Sequence, residues 1–284
     1  MEKIEQIRLI DGLLNQLDKG ATVDAGKQLI SPVNDYLSAE RAENEWQTFF
    51  QNYPQFMGLS GELPEARSFF TNDDLGKPIL CTCDKDGNFQ AFINACRHRG
   101  SIVETKSRGK KSKFSCPIHA WTYSANGDLV AVPREEHFGE VDKACYSLVK
   151  LPAVEQYGML WVHPDPEGEI DVDELLGEKL AKELEDYQLG NCVFSAEDQY
   201  DHEMNWKLAN DTFGEAYHFN VLHKDTAAQI FYGNVQMYDI FKRNHRLTLC
   251  MKAIDEVRDL PKEDWDVMKV TMASYYLFPN IQIL

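Results

Sequence analysis

The sequence predicts an α+β fold in two parts: a small β domain, then a domain that mixes helices with strands. Three observations carry this. Between Leu75 and Pro133, short apolar runs alternate with Gly and Asn turns, the pattern of a chain folding into short strands. Helical patterning governs Ile4–Leu17 and the stretches Asp171–Asp186 and Asn205–Asn220. A length of 284 residues suggests two domains rather than one.

The elements follow in order. Apolar side chains at Ile7, Ile10, Leu14 and Leu17 place an amphipathic helix over Ile4–Leu17. Ser38 can cap a second helix running to about Phe50, with Glu40 in its first turn. Strands are predicted at Pro78–Thr82, Phe89–Asn94, Lys113–Cys116 and Leu129–Pro133, with Asn126-Gly127 as a hairpin turn. Cys81 and Cys83 would share one strand face, where burial is favoured over a metal role. Tyr157–His163 is a further strand, with His163 at its end, and Pro164–Gly168 reads as a linker. Strands then follow near Arg246–Ala253 and Thr271–Leu284. This divides the chain into N-terminal helices (1–50), a β domain (51–166) and a C-terminal domain (167–284).

Composition narrows the function. A net charge of −17 argues against nucleic-acid binding. Seven scattered cysteines form no disulfide framework and point to a reducing cytoplasm. The charged start Met1-Glu2-Lys3-Ile4-Glu5 has no apolar signal core, and no segment is apolar enough to span a membrane. No G-x-G-x-x-G run marks a nucleotide site. Lys106, Arg108, Lys110, Lys111 and Lys113 form a local basic run, read equally as a solvated hairpin tip or a docking patch for an acidic electron donor.

Two motifs carry chemistry. Cys96-Arg97-His98 and Cys116-Pro117-Ile118-His119 supply two thiolates and two imidazoles. Zinc accepts that set, as does a Rieske [2Fe–2S] cluster with two Cys on one iron and two His on the other. Zinc fingers usually group Cys with Cys and His with His; here each pair is mixed, which favours the cluster. In the second motif, Glu215 and His218 are spaced to share a helix face. His218 and His223 would lie about 140° apart on a straight helix, so both reach one metal only if the helix breaks, with Asn220 a plausible place. Two His plus a carboxylate with open positions is the non-haem Fe(II) arrangement for oxygen activation.

Cys96-Arg97-His98-Arg99-Gly100 with Cys116-Pro117-Ile118-His119-Ala120-Trp121-Thr122-Tyr123, and Asn205-Trp206-Lys207-Leu208 with Glu215-Ala216-Tyr217-His218 and Leu222-His223, resemble the motifs of the Rieske non-haem iron oxygenases, the ring-hydroxylating oxygenase alpha subunits. The resemblance runs from about Ser38 to the last residue. It implies a Rieske domain followed by a helix-grip (START-like) antiparallel-sheet catalytic domain. It makes Cys96, His98, Cys116 and His119 the cluster ligands and His218 and His223 ligands of a mononuclear Fe(II). Glu215 matches the carboxylate that bridges the centres of neighbouring subunits, bonding His218 on one side and the cluster ligand His119 of the next subunit on the other. Family members often have Asp there; Glu occurs notably in members acting on quaternary amines. Asp211 stands where many members have Asn, and reads equally as a polar residue on a half-buried helix face.

The implied protein uses O₂ and electrons from a separate reductase or ferredoxin to hydroxylate or demethylate a small organic substrate, aromatic by family default, and works as a homotrimer. Phe213, Tyr217, Phe219, Phe231 and Tyr232 are candidate pocket residues. The family's third iron ligand is an acidic residue lying further on, and no Asp or Glu follows Asp266. Either Asp239 or Asp255 substitutes or the sequence is a fragment with an incomplete catalytic domain, and the fragment is the reading favoured. The rival classes are a Rieske electron carrier without catalysis and a zinc-stabilised ligand-binding protein.

Overall fold

A computed structural model describes residues 1–284. The chain forms two compact units: Met1–Ala42, Val172–Asp186 and Gln199–Leu284 make one, and Glu43–Asp171 with Tyr187–Asp198 the other. The N-terminal helix therefore groups with the C-terminal segments, and residues 187–198 with the β unit.

The β unit contains three antiparallel sheets. One has five strands in the order Arg108–Lys110, Ser68–Asn72, Ile79–Cys83, Phe89–Ile93, Lys150–Leu151. A second joins Gln55–Leu59, Met159–Val162 and Ala153–Gln156, and a third joins Lys113–Ser115, Thr122–Ser124 and Leu129–Ala131. Gly127, at φ 82°, turns the last hairpin where Asn126-Gly127 is expected to. The core of this unit draws Phe69, Leu80, Phe92, Phe114 and Tyr123 together with Cys96 and Cys116. Cys81 and Cys83 are both buried in their strand, and burial pushes the Cys81 thiol far up from its ordinary value. The Ser38 cap forms, its hydroxyl accepting from the Arg41 N–H at 3.2 Å, but the helix is shorter than expected: Ala39–Glu45, then a wider π-type turn over Trp46–Gln51.

The other unit is built on a four-stranded antiparallel sheet: Phe231–Phe241, Asn244–Met251, Thr271–Leu277, Ile281–Ile283. Successive side chains of a strand point to opposite faces, so both faces of Asn244–Met251 can be followed. Leu247 and Leu249 pack with Ala216, Phe231 and Phe219. Cys250 faces the other way, onto the first helix, Lys3–Lys19. That helix buries Leu9, Ile10, Leu13 and Leu14, with Ile7 and Leu17 half-buried. The apolar stripe is wider than the four expected positions because the helix sits in a cleft lined by Ile254, Val257, Trp265, Val267 and Val270 as well as against the sheet.

Three further expectations change. The acidic helix is broken at Gly177 (φ 76°) into Val172–Leu176 and Glu178–Asp186. The C-terminal strand is a hairpin: it turns after Leu277 and returns, Tyr275 pairing with Ile283. The helix expected over Asn205–Asn220 stops at Phe213. The reason is local. Glu215 turns its carboxylate onto the N–H groups of Tyr217 and His218, the two amides that a continuing α-helix would bond to the carbonyls of Phe213 and Gly214. A 3₁₀ turn over Tyr217–Asn220 replaces the last helical turns and ends at Asn220.

Candidate metal centres

The first centre lies on two loops of one design. Gly100 N–H donates to the Cys96 carbonyl at 2.8 Å, and Ala120 N–H donates to the Cys116 carbonyl at 2.9 Å. Each loop then closes by a bond from the cysteine's own N–H, to Ser101 O (2.8 Å) and to Trp121 O (2.9 Å). The fifth residue of each loop is left-handed: Gly100 at φ 75° and Ala120 at φ 56°. The first meets that demand with a residue lacking Cβ, the second with an alanine.

These loops set two buried thiols behind two imidazoles. Cys96 and Cys116 are 4% and 3% exposed, while His119 is open to solvent. The His98 and His119 ring centroids are 4.7 Å apart at 78°. Two imidazoles bound to one ion at about 2.1 Å hold their centroids roughly 5 Å apart, so the pair fits a shared iron. His98 Nδ1 is buried with no hydrogen-bond partner, as a nitrogen reserved for a metal would be. Burial, then the neighbouring His119 and Arg99 charges, push the His98 imidazole below its usual value, favouring the neutral form that ligates. At Cys116, burial opposes ionisation, but the N–H groups of Ile118 and His119, with Cys96 and Ser101, more than offset it and lower the thiol's pKa. No set of three or more His, Cys, Asp or Glu side chains forms a single-ion site. Paired donors suit a two-iron cluster, with its two Cys on one iron and two His on the other.

Two neighbours of this site were not given roles by sequence reasoning. Trp121 stacks on His98 at 5.0 Å and 11°, with Phe138 edge-on to both rings. Tyr123 is fully buried; its hydroxyl lies 3.3 Å from Cys96 Sγ and accepts from Arg97 N–H at 2.9 Å. Because the Arg97 N–H donates to that oxygen, the Tyr123 proton is free to point at the sulfur.

The second centre is the loop after the stopped helix. Leu222 N–H bonds to His218 O at 2.8 Å and His223 N–H to Phe219 O at 3.2 Å. This tight turn brings the His218 and His223 rings to 5.1 Å and 65°, again the spacing of two imidazoles on one ion. His218 Nδ1 is bonded to Glu215 Oε1. A carboxylate only accepts, so Nδ1 carries the proton and Nε2 is left with its lone pair for a metal. Asp211 lies on the helix Trp206–Phe213, and its carboxylate accepts from the Tyr36 hydroxyl at 2.7 Å.

Both alternative third ligands are engaged by other groups. Asp239 is held by Arg8 at 2.6 Å and Arg246 at 2.7 Å, and Asp255 by Arg258 at 2.7 Å and by the Tyr232 hydroxyl. Of the five candidate pocket aromatics, Phe213 and Tyr217 are exposed and Tyr232 packs against the first helix's cluster. Phe219 and Phe231 pack on each other at 5.8 Å. The basic run is also largely engaged: Arg108 pairs with Glu62 and Glu197, Lys110 with Glu65 and Lys111 with Glu104. His163 ends its strand, as expected, with Nδ1 accepting from Asp165 N–H at 3.1 Å.

Comparison with known proteins identifies both domains. Residues 54–155 match the family described as Rieske [2Fe-2S] domain, and residues 189–284 match the ring hydroxylating alpha subunit (catalytic domain). The chain belongs to the Rieske non-haem iron oxygenases, whose two domains use a [2Fe–2S] cluster and a mononuclear iron. It is 30% identical over 182 residues to the glycine betaine monooxygenase oxygenase subunit of Chromohalobacter salexigens, covering 64% of this chain and 40% of that protein. It is 27% identical over 195 residues to the anthranilate 1,2-dioxygenase large subunit of Acinetobacter baylyi, covering 66% of this chain and 41% of that one. Against the carnitine monooxygenase oxygenase subunit of Acinetobacter baumannii the figures are 28%, 69% and 53%. The chain thus spans about two-fifths to one-half the length of these curated relatives. In fold it is similar to the quaternary ammonium Rieske monooxygenase CntA, with TM-score 0.76, 22% identity, and 88% of this chain and 66% of that chain covered. Naphthalene 1,2-dioxygenase from Rhodococcus gives TM-score 0.73 at 22% identity, covering 98% and 68%.

Proposed function

We propose that this chain serves the oxygenase component of a multicomponent Rieske system, which uses O₂ and externally supplied electrons to hydroxylate or demethylate a small organic molecule. The observation that carries the proposal is the recurrence, in one chain, of a histidine pair with ring centroids near 5 Å in two different settings. One pair is backed by two buried cysteines; the other is backed by a carboxylate. When bound, the cluster supplies one-electron transfer and the mononuclear iron supplies O₂ activation.

Cys96 and Cys116 would hold the inner iron, and His98 and His119 the outer one, with His119 on the exposed side. His218 would hold the mononuclear iron through Nε2, the nitrogen that Glu215 leaves free, with His223 beside it as the second ligand. Glu215 keeps the Nδ1 proton on His218 and, in a homotrimer, would be the carboxylate that bonds His119 of the next subunit. Asp211, fixed by Tyr36, is a candidate for hydrogen bonding near the iron. Electrons come from a reductase or ferredoxin. No helix is long and apolar enough to cross a membrane, and the free thiols suit the cytoplasm.

An aromatic substrate is the first reading. A quaternary amine is the second, favoured by Glu215 and by relatives named for glycine betaine and carnitine. The test is anaerobic purification followed by iron and labile sulfide assays, an electron spin resonance spectrum after reduction, and O₂ uptake with benzoate, anthranilate, glycine betaine and carnitine. A colourless zinc protein without sulfide refutes the assignment.

A further inference from the structure

The loop bearing His218 and His223 keeps only a short 3₁₀ turn and two i→i−4 bonds of its own, so its place against the sheet is set from outside. The strand Phe231–Phe241 touches it at three points. Phe231 packs on Phe219 at 5.8 Å. Gly233 lies flat against Asn220; a Cβ there would fall 2.5 Å from Asn220 Oδ1. Between these and the sheet, the Gln236 side-chain oxygen accepts the N–H of Ala216 at 3.2 Å. Ala216 is fully buried and lies between Glu215, which sets the His218 tautomer, and His218 itself.

Gln236 is in turn held from behind. Its strand is the edge of the sheet, and its pairing with Asn244–Met251 slips between Phe231 and Gln236. Edge groups lack a strand partner. Here Gln16 of the first helix takes that place: its Nε2 donates to Gln236 O at 2.8 Å, and its Oε1 accepts from Gln236 N–H at 3.2 Å. The edge residue is clamped on its backbone while its side chain reaches the metal loop.

We infer that Gln236 is a positioning residue for the mononuclear iron: clamped by Gln16, it sets the loop geometry that brings His218 to the metal. The inference rests on the proposed iron site. Gln236 touches neither metal nor substrate; it acts through Ala216. Groups bonded directly to a metal ligand change its affinity by about 10- to 100-fold when lost; Gln236 acts one step further out, so the lower end applies.

The test uses the whole protein with Co(II) as a spectroscopic probe in place of iron. Gln236→Leu removes the acceptor at similar volume; Gln236→Glu keeps an acceptor for Ala216 N–H. In Gln236→Leu, Co(II) affinity should fall about tenfold with an altered visible spectrum, and the Ala216 amide should exchange about tenfold faster. Gln236→Glu should restore both, and Rieske cluster content should be unchanged in each variant. Affinity within twofold of the parent in Gln236→Leu, or equal loss in both variants, overturns the inference. Failure of the parent protein to bind Co(II) at all would instead overturn the iron site on which it rests.

Discussion

Glu215→Gln isolates what a carboxylate does at this position. The carboxylate accepts from Tyr217 N–H and His218 N–H through Oε2, and from His218 Nδ1–H through Oε1. Glutamine has one oxygen. If that oxygen keeps the two backbone bonds, which stop the helix and form the loop, the new NH₂ faces Nδ1–H, donor against donor. The imidazole relieves this by moving its proton to Nε2, the nitrogen needed by the metal. The loop should therefore persist while the ligand is switched to the wrong tautomer. The expected loss is about 10- to 100-fold in metal affinity, or about 1.4 to 2.8 kcal/mol. Co(II) titration of the parent and variant measures it, with cluster content as the internal control. Rapid-mixing oxidation of the reduced cluster should also slow, since the variant lacks the carboxylate proposed to bridge the centres. Parental Co(II) affinity in Glu215→Gln would refute the tautomer argument, whatever the rate does.

Other perturbations read other parts of the molecule. Tyr123→Phe removes the hydroxyl beside Cys96 Sγ, and the cluster's reduction potential should become more negative in a spectroelectrochemical titration. Ala120→Gly should stabilise the β unit by about 1 kcal/mol in thermal unfolding, because Ala120 holds a left-handed conformation at φ 56° that glycine adopts without strain. Arg246→Met leaves buried Glu183 without its ion-pair partner, only the Tyr275 hydroxyl remaining on it, and should cost about 3–5 kcal/mol in denaturant unfolding. Glu5 is bonded to Arg8 and Arg246, which outweigh burial and lower its pKa to about 2. Its stabilisation is therefore complete above the ordinary carboxylate value of 4.5 and is lost as pH falls toward 2; Glu5→Gln should flatten unfolding free energy across that window.

Legibility in the sequence followed the range of the interactions. The candidate cluster ligands are readable because each loop is local: five residues close on themselves, and a Gly or a tight turn is visible beside the Cys. The Asn126-Gly127 hairpin and the Ser38 cap are readable for the same reason. The metal helix is misjudged in length because the sequence shows Glu215 three residues before His218, a helical spacing, but not which amides its carboxylate will take. The strand Phe231–Phe241 is missed altogether. It is an edge strand with few buried positions, so alternation is faint, and it is held by Gln16, more than two hundred residues earlier. No local pattern announces such a contact.

The two histidine pairs also differ in how their geometry is stored. At the cluster, both cysteines belong to the unit's apolar core, and Trp121 stacks on His98, so the donors are fixed by packing that forms with the fold. At the second pair, Tyr217, Val221 and Leu222 are exposed, and beyond its own short backbone turn the loop is held by one carboxylate, one glutamine, the close approach of Gly233 to Asn220 and a ring contact. Few buried contacts mean a low free energy of local opening. The cluster donors thus exist in position before metal arrives, whereas the second site gains much of its order from the ligand it binds. That asymmetry suits the two tasks. A site that passes electrons works best with fixed donors, and a site that must admit O₂ and substrate keeps positions open and a loop free to adjust.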